Sequence, residues 1–164
     1  MMVLGLTGGV GAGKSRILGL FSEDYGAQVI QADLVARQLE EPGQPGLTGL
    51  VSLFGNEILS PDGTLDRKRF ADRIFGNPEA LKRVNALLHP LTWNEIKCRI
   101  RESKADLVVV EAALFDERSR DICQYLVYVD TEDEVRIRRL MENRGYSREI
   151  CLDIMKNQAD RSRF

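Results

Sequence analysis

The sequence has 164 residues, a length that suits one domain with a substantial core. Its apolar fraction of 43% and charged fraction of 29% are those of an ordinary water-soluble globule. A formal net charge of −2 excludes a global field that attracts nucleic acid, so we expect anion binding to be local and no nucleic-acid partner. No apolar run approaches the length of a membrane span, and we expect no membrane partner.

The cysteines and the N-terminus indicate a cytoplasmic protein. Cys98, Cys123 and Cys151 are odd in number and widely spaced, which is typical of reduced thiols and not of disulfides or metal ligands. The segment Met2–Leu6 has no basic leader and no small-residue cleavage site, so we interpret it as a core strand and not as a signal peptide. Nothing resembles a long oligomerising helix, and we expect a monomer or a weak oligomer.

A phosphate-binding loop follows this first strand. The motif Gly-x-x-x-x-Gly-Lys-Ser stands between an apolar segment and a helical pattern with Ile17, Leu18 and Phe21 on one face. Backbone N–H groups of such a loop surround phosphate oxygens, Lys14 reaches the β- and γ-phosphates, and Ser15 holds Mg²⁺. The alternative is a flexible Gly-rich turn that happens to precede a lysine. We predict a nucleoside triphosphate site made of Gly8, Gly9, Val10, Gly11, Ala12, Gly13, Lys14, Ser15 and Arg16.

If the bound nucleotide donates its γ-phosphate, Asp33 is the candidate base that acts on the acceptor hydroxyl. It follows the short apolar run Gln28–Ile30, and the carboxyl ends of parallel strands line the ligand crevice of an open sheet. A kinase needs a carboxylate that draws the proton from the acceptor hydroxyl. The alternative makes Asp33 the N-cap of a helix Leu34–Leu39, and the two roles do not exclude each other.

A helical insertion is predicted between this strand and the next. Asp66 is a plausible N-cap for a helix Arg67–Phe75, and Asn77 with Pro78 starts another. His89 lies in a helix-like apolar stretch, where a lone histidine is more often a satisfied core group, and Pro90 is expected to kink the helix. Such an insertion is a natural place for a second substrate.

Two further apolar runs, Leu107–Val110 and Leu126–Val129, complete a predicted parallel sheet. With the helices between the strands, they indicate an α/β fold with helices on both faces of the sheet. Glu111 ends the first run, where an acid orders the hydration shell of Mg²⁺ or pairs with a basic group. A strand-terminus carboxylate with a structural partner is an equal alternative.

The last part of the sequence predicts a basic helical hairpin. Thr131–Glu134 matches a capping box, and the helix that it starts carries Arg136, Arg138 and Arg139. Arg144 follows before Gly145, and Ser147 with Glu149 opens a helix through about Asn157. The usual interpretation of these arginines is a solvated face. The alternative is a lid that closes over ATP, with at least one arginine on phosphate.

Together these motifs resemble the dephospho-CoA kinase family along the whole chain. The residues that carry the resemblance are Leu6–Ser15, Ala32-Asp33 with Arg37, Glu41–Gly43, Phe54-Gly55, Asp62–Arg67, Phe75, Leu87–Pro90, Val110–Phe115, Val129-Asp130 and Arg139–Met141. The phosphate loop alone is shared by many kinases, but its combination with the other segments is specific.

The resemblance implies transfer of the γ-phosphate of ATP, with Mg²⁺, to the ribose 3′-hydroxyl of dephospho-CoA. It implies a three-layer phosphate-loop NTPase fold with a nucleotide core at residues 1–34 and 105–135, a CoA-substrate insertion at 35–104 and a lid at 136–160. Catalytic roles fall to Lys14, Asp33, Arg139 and Arg144. Substrate contacts fall to Thr7, Asp33, Arg37, Arg67, His89 and Glu111, and the metal contact falls to Ser15.

The sequence departs from the family pattern at four places. Gln31 and Arg16 replace a common acid and a common hydroxyl residue, and Asn143 stands where the second lid arginine aligns, one position before Arg144. The sequence stops before a family segment that supplies a strand and part of the adenine pocket. Another small-molecule kinase of this fold is the main rival, and a chain that binds dephospho-CoA without turnover is another. A GTP switch would need Asn-Lys-x-Asp, which does not occur.

Overall fold

The computed structural model describes residues 1–115, 121–156 and 158, which fall into two compact units. The first unit comprises Met1–Ile30 and Ser103–Phe164, and the second comprises Gln31–Glu102. The strands are β1 (Met2–Gly8), β2 (Gln28–Gln31), β3 (Leu107–Glu111) and β4 (Tyr125–Val129). The helices are α1 (Lys14–Tyr25), α2 (Ala32–Leu39), α3 (Pro45–Phe54), α4 (Arg67–Ile74), α5 (Pro78–Glu102), α6 (Asp133–Arg144) and α7 (Arg148–Lys156).

The four strands form one sheet in the order β2-β3-β1-β4. β1 pairs in parallel with β3 on one side and with β4 on the other. Val108, Val109 and Val110 of β3 are fully buried, as expected for a parallel strand covered on both faces. The predicted α/β class with a parallel sheet is confirmed.

Each strand is slightly longer than its apolar run. β1 continues past Leu6 because Thr7 and Gly8 pair with Tyr128 and Val129 of β4. Hydrophobicity alone does not reveal this extension, since neither added residue is strongly apolar. The phosphate loop therefore starts directly at the end of a strand that is paired on both sides.

The core of the first unit lies between the sheet and α1. Leu6, Leu18, Ala27, Val109 and Val129 are buried there. Partly buried side chains of α1, including Ile17 and Phe21, pack against this cluster, as the helical pattern predicts. This packing fixes the helix that begins with Lys14.

The second unit is helical, with caps where the sequence places them. The Asp66 carboxylate accepts hydrogen bonds from the backbone N–H groups of Lys68 and Arg69, at 3.1 and 3.0 Å. The Asn77 side-chain oxygen accepts one from Ala80 N–H at 3.0 Å, at the start of α5. A core of Leu50, Ile58, Phe70, Val84 and Leu88 joins these helices. The two predicted helix starts are confirmed.

Three local predictions are wrong. The helix after β2 begins at Ala32 with Gln31 as its N-cap residue, so Asp33 lies in the first turn and is not the cap. His89 is exposed on α5 and is not a core group, because its position faces away from the buried Val84 and Leu88. The capping box does not form: α6 has no side-chain cap hydrogen bond, since the Thr131 hydroxyl binds elsewhere.

Several smaller features complete the description. α5 continues on both sides of Pro90, and the three cysteines are free thiols. Among the described residues, no helix is both long and apolar enough to cross a membrane. α7 ends at Lys156, and the predicted helix end at Asn157 lies outside the described residues.

Candidate phosphate site

Two glycines give the loop its shape. Gly11 and Gly13 have φ of 75° and 99°, a left-handed conformation that side chains with a Cβ rarely adopt. Gly13 is the N-cap residue of α1, so the N–H groups of Lys14 and Ser15 stand at the head of this helix. Leading N–H groups of a helix have no carbonyl partner within it, and they form a ready site for an anion.

Lys14 lies over the loop that precedes it. Its Nζ donates a hydrogen bond to Gly8 O at 2.9 Å and lies 3.4 Å from Gly9 O. The same ammonium is 3.6 Å from Oε1 of Glu111, whose side chain is 12% exposed. The predicted partner of Glu111 is thus a basic group, Lys14. A carboxylate beside the ammonium keeps the cation at the loop when no phosphate neutralises it.

The second half of the loop is held by side chains from beyond β4. The Thr131 hydroxyl donates to Ala12 O at 2.9 Å. Nη1 of Arg139 donates to the same oxygen at 3.1 Å and to Gly11 O at 3.3 Å. The lid arginine of the prediction therefore contacts the loop, through its carbonyl groups.

Arg136 and Gln158 are the residues that sequence reasoning missed. Arg136 is 9% exposed and donates from Nε to Val10 O at 3.0 Å, so the interpretation of a solvated arginine is wrong for it. A signal was present, because Arg136 stands one turn before Leu140 on the apolar side of its helix. Gln158 gave no signal, since its contact with Val10 N–H spans 148 positions.

The hairpin α6–α7 packs against the loop through a small core. Ile137, Leu140 and Cys151 are buried, and Val10 of the loop packs on them. Outside this core, the Arg148 guanidinium binds the Glu134 carboxylate and lowers its pKa, which ties the two helices together. Arg144 is the last residue of α6, and Gly145 ends the helix in the left-handed conformation.

The predicted acceptor-side residues lie on the second unit. Asp33 and Arg37 are four positions apart and share one face of α2, and Glu40 follows three positions later as the C-cap residue of this helix. Glu40, whose side chain is 10% exposed, pairs with Arg67 Nη1 at 2.9 Å and so brings Arg67 to the end of this helix. Asp33, Arg37 and Arg67 are exposed, and His89 is exposed on α5.

Two of the predicted contacts look different in the structure. Thr7 is fully buried and its hydroxyl donates to Ala113 O at 3.2 Å, so its environment favours a role in fixing the loop start. Arg16 is exposed in the first turn of α1, beside the exposed Ser15. The substrate contact of Thr7 and the ATP contact of Arg16 stay predictions.

A Gly-x-x-x-x-Gly-Lys-Ser loop between a central parallel strand and a helix, with a carboxylate on the neighbouring strand, defines the class of phosphate-loop nucleotide-binding proteins. A family model described as dephospho-CoA kinase matches residues 2–163. The chain belongs to the dephospho-CoA kinase family, whose members are ATP-using phosphotransferases.

Individual relatives agree with this membership. The dephospho-CoA kinase of Vibrio parahaemolyticus is 35% identical over 98% of this chain and 79% of its own length. That of Corynebacterium jeikeium is 39% identical over 99% of this chain and 84% of its own length. A crystal structure of a Thermus thermophilus protein superposes with a TM-score of 0.82 at 29% identity, over 99% of this chain and 82% of that one. The chain spans about four fifths of these relatives.

Proposed function

We propose that this chain transfers the γ-phosphate of ATP to the ribose 3′-hydroxyl of dephospho-CoA and so produces coenzyme A. The observation that carries the proposal is Lys14, placed at the head of α1 with its ammonium between the loop carbonyls and Glu111. Membership of the family supports the identity of the acceptor. We further propose that the chain works in the cytoplasm as a monomer or a weak oligomer, without nucleic acid.

On the ATP side, the loop supplies positive charge and donors. Lys14 exchanges its carbonyl contacts for oxygens of the β- and γ-phosphates and stabilises the charge that develops as the phosphoryl group moves. The N–H groups at the start of α1 bind the same anion. Arg139, anchored on the carbonyls of Gly11 and Ala12, has further N–H donors for the phosphates, because a guanidinium carries five.

The residues present fit a magnesium ion. Mg²⁺ prefers oxygen ligands and is usually bound by one or two protein groups together with substrate phosphates. The exposed hydroxyl of Ser15 would hold it, and the carboxylate of Glu111 would order its waters. Held by these residues, Mg²⁺ would neutralise phosphate charge and would make ADP a better leaving group.

On the acceptor side, Asp33 is the proposed base. Its exposed carboxylate stands in the first turn of α2, directly after the carboxyl end of β2. The ribose oxygen attacks the γ-phosphorus, the bond to the bridging oxygen of ADP breaks, and Asp33 takes the hydroxyl proton. Arg37, Arg67 and His89 supply cationic or polar groups for the anionic acceptor.

A coupled assay of ADP release tests the proposal. We expect dephospho-CoA to accelerate ADP release from Mg-ATP strongly, while adenosine and shikimate leave the slow hydrolysis unchanged. Mass spectrometry of the product should show one added phosphate on dephospho-CoA. Acceleration by shikimate or adenosine instead would assign the chain to another small-molecule kinase, and no acceleration by any of the three acceptors would refute the proposed transfer to dephospho-CoA.

A further inference from the structure

Arg136 is a buried cation that the reaction described above does not use. Its side chain is 11% exposed, and the guanidinium binds three acceptors. Nε donates to Val10 O at 3.0 Å, Nη2 to Gln158 Oε1 at 2.7 Å and Nη1 to Asp133 Oδ1 at 3.1 Å. A buried charge is costly unless it is paired and hydrogen-bonded, so this geometry must be maintained for the fold to tolerate the arginine.

The same network fixes both polar backbone groups of Val10. The carbonyl of Val10 accepts from Arg136, and its N–H donates to Gln158 Oε1 at 3.1 Å. The amide oxygen of Gln158 thus accepts from the loop and from Arg136 together. The N–H of Val10 is thus directed to Gln158, and its side chain packs on the small core of the α6–α7 hairpin.

Gly9 leaves the space that the guanidinium fills. A Cβ built on Gly9 would lie 2.3 Å from Nη2 and 2.5 Å from Cζ of Arg136, which is impossible without displacement. The guanidinium has little freedom to move, because three hydrogen bonds and its burial hold it. Gly9 has no left-handed φ, so the glycine is needed here for space and not for backbone conformation.

We propose that Arg136, with Gln158, is a positioning residue that sets the conformation of Gly9–Val10 and thereby the ATP affinity of the phosphate loop. Arg136 does not contact the nucleotide itself. Its planar fork reaches three acceptors in different directions, which the single ammonium of a lysine cannot reproduce. Gly9 and Arg136 form a matched pair, because the absence of a side chain at Gly9 leaves room for the Arg136 guanidinium.

Direct binding of a fluorescent ATP analogue with Mg²⁺, without any acceptor, tests this role independently of the identity of the acceptor. We expect Arg136→Gln and Arg136→Lys each to weaken binding by at least about tenfold, the lower end of what a hydrogen bond to a charged group contributes. The Michaelis constant for dephospho-CoA should stay within about twofold, since no part of the second unit changes. The control is Arg138→Gln, an exposed position on the same helix, which should bind ATP normally.

A purely structural role for Arg136 predicts a different result. In that case Arg136→Gln would lower the melting temperature while ATP affinity, measured well below that temperature, stays unchanged, and the proposal would be overturned. Because Arg136→Gln removes a buried charge together with its hydrogen bonds, a folded variant with weak ATP binding is the expected outcome. Gln158→Ala provides a second variant that keeps the arginine, and it should weaken ATP binding in the same direction.

The pair Gly9 and Arg136 allows a double-mutant cycle. Gly9→Ala alone should weaken ATP binding strongly, because the methyl group displaces the guanidinium. In the Arg136→Gln background the same change should cost much less, since the shorter side chain leaves room. Additive effects of the two substitutions would show that Gly9 and Arg136 act separately and would refute the matched pair.

Discussion

At the scale of single residues, the Lys14 ammonium is held by groups that bound phosphate would have to replace. Its ammonium binds Gly8 O and faces Glu111. We predict that Lys14→Ala abolishes phosphoryl transfer and leaves the fold intact, because Lys14 is the loop side chain that we propose to neutralise the β- and γ-phosphates. The coupled assay and circular dichroism measure the two effects, with the exposed Lys82→Ala as control. Near-normal turnover would remove the assignment of the loop.

Asp33 offers a cleaner test now that its place in α2 is known. Since Asp33 is not the N-cap, Asp33→Asn changes the charge and basicity without removing a cap. We predict a fall in kcat of roughly 10²–10⁴, the usual contribution of a positioned base, with ATP affinity nearly unchanged. The matched control is Asp72→Asn, an exposed acid on α4 of the same unit. A fall smaller than about tenfold would exclude Asp33 as the base.

Cys123 differs from an ordinary thiol because burial raises its pKa from 9.0 to about 11. The folded state favours the protonated form, so its contribution to stability is complete below pH 9 and is lost as the pH rises towards 11. We predict that unfolding free energy falls less between these pH values in Cys123→Ala than in the unmodified chain. Denaturant titrations at pH 8 and near pH 11 measure the difference. Equal falls would contradict the raised pKa of Cys123.

Residue roles were predictable where the partner is close in sequence. Asp66 and Asn77 cap their helices because the N–H groups that they bind are two or three positions away. Thr131 has the same type of side chain before a helix, yet its hydroxyl binds Ala12 O, 119 positions away. A cap hydrogen bond at the start of α6 and the bond to Ala12 O would each satisfy the Thr131 hydroxyl. Which of the two forms depends on the folded structure and not on the local sequence.

At the scale of elements, the hairpin α6–α7 carries two arginines with different surroundings. Arg139 and Arg144 are about 140° apart around an ideal helix of 3.6 residues per turn, so they cannot face one point while both are helical. Arg139 binds loop carbonyls, while Arg144 is exposed at the last helical position before Gly145. Arg139 is therefore tied to the loop before ATP binds, and Arg144 is the candidate that changes position.

We propose that Arg144 helps to exclude water over the bound phosphates, and we therefore predict that Arg144→Ala slows transfer and raises the share of futile ATP hydrolysis. Arg139→Ala should mainly slow transfer. The measurement compares ADP formed with phosphorylated acceptor formed, and Arg138→Ala serves as the exposed control on the same helix. Equal ratios of hydrolysis to transfer in Arg144→Ala and the unmodified chain would count against a lid role for Arg144.

The sequence pattern predicted the helices and strands better than it predicted which of their side chains are buried. Apolar runs located all four strands, and the helical pattern of Ile17, Leu18 and Phe21 located α1. The burial of Arg136 was not predicted, because long charged side chains are usually solvated, and two of its three acceptors, Val10 O and Gln158 Oε1, lie far from it in the sequence. The exposure of His89 was missed because α5 buries only part of its surface.

At the scale of the whole molecule, the predicted site residues divide between the two units. The phosphate loop belongs to the first, while Asp33, Arg37, Arg67 and His89 belong to the second. We predict that dephospho-CoA alone perturbs backbone chemical shifts mainly within Gln31–Glu102. Shifts confined to Thr7–Arg16 would contradict a separate acceptor unit. The exposed Lys156→Gln variant, which lies outside the second unit, should give the same map.

The order of the strands has a consequence for the timescale of motion. Within the part of the chain that the structure describes, β1 lies inside the sheet between β3 and β4, while β4 stands at its edge with Tyr125 64% exposed. Amide protons of an inner strand exchange with solvent only when a large part of the structure opens, whereas edge amides exchange through small local openings. The phosphate loop therefore begins at the end of β1, whose amides we expect to exchange most slowly. Thr131, which also holds the loop, follows β4, whose amides we expect to exchange faster. Loss of the Thr131 contact before any opening of β1 would loosen the loop from its far end.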